Sequence, residues 1–370
     1  MTTLNYKMLS LARESRGLTQ NQLVAMVDNL NQGNYSKMEK GLLNIPDETL
    51  LNIAKHLDYK PSFFYKKENQ HPISSFYYRK RLSMGKRELS LLESKLDIFR
   101  LMIDELLDSV DVPEFKIPMY EVTEQLSPAD IAIRVREFLK IQKGPIDNIV
   151  DRVESAGVII YFIRVITGKF DGITLYTDKG QPVIFINDTL PNDRKVFTIG
   201  HELFHLISHI PFTPLPQDRD PEKEANEFAG EFLMPYLDCR NDLMDLRYSQ
   251  LGILKSYWKV SKAAIIYRAK DIYAINPERY TNLNIELSRN GERKKENGFV
   301  EISEPKIINM IIDAHEKNLD YTLDEMIELL GISEKDYFEY FNRSQFKVLV
   351  TPKRVIDLSS YAKNNQKRAL

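Results

Sequence analysis

The chain has 370 residues, of which 43% are hydrophobic and 28% charged, and its net charge is −2. The length exceeds one typical domain, the composition is that of an ordinary globular protein, and so small a charge excludes polyanion binding by bulk attraction. A single cysteine, Cys239, excludes an intrachain disulfide and fits a reducing compartment.

Residues 5–66 read as a run of short helices. The opening MTTLNYKMLSLARESRG is charged from Lys7 onward and holds no apolar core of signal-peptide length. Within it, Met8, Leu9, Leu11 and Ala12 have helical spacing, and the pattern stops at Gly17. LTQNQLVAMVDNL follows, with Thr19 as a natural N-cap ahead of Leu23, Val24 and Val27. NQGNYSKMEKG ends at Gly41, and PDETLLNIAKHLDY opens with Pro46 and acids in its first turn. Short helix, tight turn, short helix is the spacing of a helix-turn-helix. Two details are unusual. Gly33 sits inside the third segment, at about 1 kcal/mol of helix propensity, and the turn before it lacks glycine.

The string LxxARxxRGLTQxQL, followed by YSKMEKG and PDETLLNIAKHLDY, resembles XRE-type (lambda-repressor-like) DNA-binding domains. The resemblance implies an all-α domain over residues 1–66 whose helix after the turn enters the major groove of operator DNA. That helix maps to about Gln32–Glu39. Gln32, Asn34, Ser36 and Lys37 would then lie near bases and phosphates, since amides and hydroxyls read base edges and lysine meets phosphate. A protein-binding domain of the same fold is the alternative. Eight basic and six acidic residues in 1–66 do not decide between them.

Residues 67–114 read as a basic linker and a patterned helix. YRKRLSMGKR (78–87) has five basic residues and no acid, either a solvated run or an arm that contacts phosphates. Leu89, Leu92, Leu96, Phe99, Ile103, Leu106 and Val110 then form a heptad seam. A helix-turn-helix usually binds DNA as a dimer, so the seam could pair two chains into a homodimer. Leu91, Leu101, Met102 and Leu107 widen the apolar face, which favours packing into a larger core of the same chain instead.

Residues 115–275 read as an α+β domain. IAIRVREFLKIQ and PIDNIVDRVESAG have helical period; GVIIYFIRV, FDGITLYT and QPVIFIND are strand-like, with a turn at Asp178–Gln181. GVIIYFIRVI (157–166), the longest apolar stretch, is broken by Arg164 and too short to span a bilayer. NDRKVFTIGHELFHLISH predicts a helix capped near Asn192 or Asp193. After the proline-broken HIPFTPLPQDRD, a second helix, PEKEANEFAGEFLMP, opens at Pro221 and closes at Pro235.

In HELFH (201–205), His201 and His205 share a helix face and can point one nitrogen each at a single ion. Glu202 lies about 100° around the helix, too far to bind that ion easily but able to reach a water beside it. A zinc hydrolase has this arrangement: two imidazoles hold Zn2+ and the glutamate serves as the base. Two helix histidines paired to carboxylates would give the same string, so a third protein ligand decides. A metzincin's third histidine would fall at Pro211, which excludes that class. The following helix offers Glu222 and Glu224, with Glu227 further along. His209, four beyond His205, reads as a satisfied surface histidine rather than a surplus ligand.

FTIGHELFHLISH…EKEANEFAGEFLMP, with the preceding strands and LKSYWKVSKAAIIYRAKDI (254–272), resembles the ImmA/IrrE metallopeptidase family. The resemblance implies a zincin-like fold and places the third zinc ligand on the first glutamate of an E-x-x-A-N motif. Here that is Glu222, with Glu224 as the fallback. It further implies a cytoplasmic zinc endopeptidase joined to a transcription regulator, with Glu202 as base and a protein substrate such as a repressor, in a stress or mobile-element response. The rival reading is a DNA-binding regulator whose metal domain senses a ligand or partner without proteolysis; a third is cleavage of its own chain. No membrane contact is expected.

Residues 276–370 read as a helical region without an assigned role. NIELSRNGERKKENG is expected to be an exposed loop. SEPKIINMIIDAHEKN and YTLDEMIELLGISEKDYFEYF have helical period, with Thr322 as a cap.

Overall fold

The computed structural model describes residues 3–67, 84–164, 170–293 and 295–341. The basic run 78–87 lies mostly outside these residues. Four short helices open the chain: α1 (Lys7–Ser15), α2 (Gln20–Val24), α3 (Gln32–Glu39) and α4 (Asp47–Leu57). Thr19 caps α2 in a reciprocal box with Gln22. The turn before α3 manages without glycine because Asn29 takes the left-handed conformation, φ 58°, which asparagine tolerates. Asn31 then caps α3 by accepting from the Asn34 amide, so Gly33 stands in a secured first turn.

Helix α5 (Lys86–Leu106) carries the heptad seam, and its own chain buries that seam. Leu92, Leu96, Phe99, Ile103 and Leu106 are all buried in the core that also holds Met8, Leu9 and Ala12 of α1. Most of the seam is thus taken up within one chain, where the wider apolar face has found a core. Arg87 joins the two parts by donating to the Gly17 carbonyl at 2.8 Å.

After α6 (Pro128–Phe138) and α7 (Ile149–Ser155) come three strands, β1 (Ile159–Ile163), β2 (Gly172–Tyr176) and β3 (Pro182–Asn187). They form one sheet in the order β1-β3-β2, with β1 parallel and β2 antiparallel to β3. The sheet divides two apolar cores by strand alternation. Ile159, Ile163, Ile173, Leu175, Val183 and Phe185 face α5 and the N-terminal helices, and Phe99 stacks on Tyr161 with ring centroids 3.6 Å apart. Ile160, Ile184 and Ile186 face the other core, built by the helices that follow. Those are α8 (Asn192–Phe204), prolonged by a π-turn at His205–His209, then α9 (Pro221–Leu233), α10 (Tyr236–Leu243), α11 (Leu251–Trp258), α12 (Lys262–Asp271) and α13 (Pro277–Arg289).

Two local expectations are corrected here. Pro191, not Asn192 or Asp193, occupies the N-cap of α8 without a side-chain cap. Asn192 instead donates to the Val300 carbonyl, and Asp193 takes the buried Lys255 at 2.5 Å. NIELSRNGERKKENG is not wholly an exposed loop. Its first half completes α13, because Leu283 and Leu287 sit one helical turn apart in the core, and Glu292 is buried against Lys262 at 2.6 Å.

The last elements, α14 (Ile307–Asp313), α15 (Leu323–Leu330) and α16 (Glu334–Tyr340), return to the first core. Thr322 caps α15 as its sequence predicts. The α15–α16 pair binds the N-terminal helices. Lys60 N donates to the Gly331 carbonyl at 3.0 Å, and Arg16 pairs with Asp336. It also meets the sheet, where the Tyr161 hydroxyl donates to the Tyr340 carbonyl at 2.6 Å. Gly331 makes this close approach possible: its φ is +73°, and a Cβ there would lie 2.9 Å from Phe63 Cα. Among the described residues, no helix is long and apolar enough to cross a membrane.

Candidate metal centre and helix-turn-helix face

His201 and His205 lie one turn apart on the buried face of α8, and their Nε2 atoms are 3.1 Å apart. Glu222, at the start of α9, brings Oε2 to 3.5 Å from His201 Nε2 and Oε1 to 3.6 Å from His205 Nε2. Among the described residues this is the one group of three or more His, Cys, Asp or Glu side chains so gathered. A small divalent cation held tetrahedrally at ~2.0–2.1 Å sets its ligands about 3.3 Å apart, which these distances fit. The other nitrogens agree. His201 Nδ1 faces Asn226 Oδ1 at 3.0 Å and donates to it, leaving a lone pair on Nε2. A lone pair there, facing the Glu222 carboxylate, suits a cation between them.

Glu224, the fallback ligand, is turned elsewhere. Arg219 donates to both its oxygens, at 2.8 and 2.5 Å, and His209 Nε2 lies 2.9 Å away. Burial would raise the Glu224 pKa, but these hydrogen bonds outweigh it and hold the carboxyl below its ordinary range.

Glu202 follows His201 on α8 and is 3% exposed. Thr174, on the opposite face of β2 from Ile173 and Leu175, sets its hydroxyl 3.1 Å from both Glu202 Oε2 and the Glu202 carbonyl. Gly172 lets β2 come this close: a Cβ there would lie 2.7 Å from Thr198 Cγ2 and 2.9 Å from the Phe185 carbonyl. The sheet thus supplies a hydroxyl that orients the carboxylate of the residue next to His201.

On α3, Gln32, Asn34 and Lys37 are exposed, Ser36 is half-buried, and Tyr35 and Met38 anchor the helix in the core. Gln20 ties the turn together, accepting from Gln32 at 2.8 Å and donating to Glu39 at 2.5 Å. Arg13 of α1 clamps the same Glu39 at 2.7 Å. The four residues read as DNA contacts therefore sit on one short helix whose outer side is open to a partner.

Residues 154–270 match the family model of the IrrE N-terminal-like domain, a peptidase family, and residues 9–64 match a helix-turn-helix family model. The two matches stand in one chain, the helix-turn-helix first and the IrrE N-terminal-like stretch after it. No curated protein and no solved structure matches it.

Sequence reasoning misread or missed three side chains of the peptidase-family domain. His209 is not a surface histidine: it is fully buried, with Nδ1 2.7 Å from His205 Nδ1. Its i+4 spacing gave the face of the helix but not the depth of that face, which the overlying Phe204 ring sets. Burial pushes its pKa down to about 4 against the pull of Glu224. Asn226 carried a signal, standing four after Glu222 on one helix face. Thr174 carried none, because it comes from a strand far back in the sequence.

Proposed function

We propose that the chain is a DNA-binding transcriptional regulator whose IrrE-like domain is a zinc endopeptidase, acting on a repressor or another regulatory protein in a stress or mobile-element response. His201, His205 and Glu222 would hold the zinc ion, and Glu202 would serve as the general base. When bound, zinc supplies Lewis acidity, lowering the pKa of water towards neutral and polarising the scissile carbonyl. Glu202 takes the proton of the attacking water and delivers it to the leaving amine. Thr174 holds Glu202 Oε2 and so fixes the orientation of the carboxylate. Among the described residues β2 pairs only with β3, and its free edge offers backbone groups to an extended substrate. At the other end of the chain, Gln32, Asn34, Ser36 and Lys37 would meet operator DNA. The observation that carries the peptidase reading is Glu202, next to His201 in the chain, buried and held by the Thr174 hydroxyl, since storage of a metal needs no base.

A second reading has its own support. The helix-turn-helix helices, α5 and one face of the sheet share a single core. A metal domain that senses a ligand or partner without proteolysis has a packed route to the DNA unit.

The test is to incubate zinc-loaded protein with candidate repressors and with its own helix-turn-helix domain. Cleavage that stops on chelation and returns with zinc is the expected result. Intact candidates throughout, with zinc bound, would favour the sensor. Failure to retain any DNA at low salt would make the N-terminal unit a protein-binding module.

A further inference from the structure

A chain of hydrogen bonds leads away from His205 on the side opposite the metal donors. His205 Nδ1 meets His209 Nδ1 at 2.7 Å, His209 Nε2 meets Glu224 Oε2 at 2.9 Å, and Arg219 grips Glu224 through Nε and Nη2 at 2.8 and 2.5 Å. His209 is fully buried, with its ring against Phe204 and its carbonyl accepting from the Thr213 hydroxyl at 2.9 Å.

The protons in this chain are set from its far end. Glu224, gripped by Arg219, is a carboxylate and can only accept. His209 must therefore carry its proton on Nε2, which leaves a lone pair on Nδ1. Only His205 can then supply the proton between the two Nδ1 atoms. A proton on His205 Nδ1 leaves Nε2 free as a donor atom, and Nε2 is the atom that faces His201 and Glu222.

We propose that His209, Glu224 and Arg219 are positioning residues for His205: they fix its tautomer and ring orientation and tie it to the 210–220 loop that carries Arg219. His201 has a looser arrangement. Its Nδ1 rests on Asn226, which is exposed and whose amide can turn over. The two histidine ligands are thus unequal, with His205 the fixed one. The proposal rests on the zinc reading above.

Zinc affinity, measured by competition with a chromophoric chelator, tests it, with the melting temperature of the metal-free protein as control. His209→Leu fills the volume but breaks the chain, and should weaken zinc about 10–100-fold, the usual effect of losing a ligand's hydrogen-bond partner. His209→Gln can accept from His205 and donate to Glu224, and should recover most of that loss. Arg219→Met should fall between His209→Gln and His209→Leu. Cobalt(II) in wild type and His209→Gln should give the same visible absorption bands, because the ligand set is unchanged.

Wild-type affinity in His209→Leu would overturn the proposal while leaving the zinc site standing. So would zinc loss that merely follows loss of folding in both His209 variants. A folded His209→Gln protein that binds no zinc would make His209 a ligand, which also overturns it. A wild-type protein that takes no zinc would instead overturn the metal reading on which the proposal rests.

Discussion

On one face of the sheet, Thr174 turns its hydroxyl to Glu202; on the other, Ile173 and Leu175 join the core around Phe99 and the C-terminal helices. The three are consecutive residues of β2. One face orients a polar group for chemistry, while the other fastens the helix-turn-helix unit, α5 and the α15–α16 pair to the domain that carries the donors. Domains separate along the sequence are thereby joined in packing, and the joint is the back of the strand that holds the proposed base.

The largest expected effect lies on the polar face. Glu222→Gln should weaken zinc by at least about a hundredfold, beyond what loss of a ligand's hydrogen-bond partner costs. Glu224→Gln should stay within about tenfold. Chelator competition measures both, and equal retention in the two variants would move the ligand elsewhere.

Phe99→Ala attacks the apolar face. Loss of this buried, stacked ring should cost about 3–5 kcal/mol of stability by denaturant unfolding. Zinc stoichiometry in the folded fraction should be unchanged. Loss of metal at unchanged stability would break the division between the faces.

Gly331→Val sharpens the same comparison at the joint. A side chain at this positive φ, pressed on Phe63, should cost about 1–3 kcal/mol and open α15–α16 to limited proteolysis, with zinc binding intact.

Away from the sheet, Lys37→Gln should weaken all DNA sequences alike and reduce the salt slope by about one, whereas Gln32→Ala or Asn34→Ala should relax sequence preference. Fluorescence anisotropy with matched and scrambled duplexes separates these outcomes. If Lys37→Gln changes nothing, α3 is not the DNA-facing helix.

The smallest effect is acid-dependent. Burial would raise the Glu292 pKa, but hydrogen bonds from Lys262, Tyr248 and the Asn297 amide bring it down to about 2, from an ordinary 4.5. Its folded pKa is depressed, so the stabilisation is full above pH 4.5 and is lost as pH falls towards 2. Glu292→Gln should be less stable than wild type at neutral pH, and the two should converge near pH 2. A constant difference across that window would remove Glu292 from the account.

Local signals in the sequence carried the N-terminal helices well: Thr19 as cap, Gly17 and Gly41 as stops, and acids at the start of α4. His201, Glu202 and His205 were legible because a four-residue spacing is a statement about one helix face. Glu222 was not separable from Glu224 by spacing alone; the family resemblance singled it out, and the geometry sets the two on different partners. Depth was the main thing hidden. His209 and the α5 seam both had readable faces, but what closes over a face comes largely from residues on other elements, such as Glu224 against His209 or Tyr161 over Phe99. Thr174 was hidden for the same reason. The C-terminal helices were visible, yet their partners on α1 and β1 were not, since a helical period does not say which core receives it.

The central claim is that Glu202 is the base of a zinc peptidase and not a bystander beside a sensing site. Glu202→Gln keeps the shape of the side chain and removes the proton acceptor, so the measurement is cleavage rate and zinc content together in the same preparation. The account predicts zinc content and melting temperature near wild type, DNA binding intact, and cleavage lower by at least the ~10²–10⁴-fold that general-base catalysis supplies. In cells carrying the variant, gene induction should fail. Normal induction by a folded, zinc-loaded Glu202→Gln protein would contradict the account and establish the sensor reading in its place.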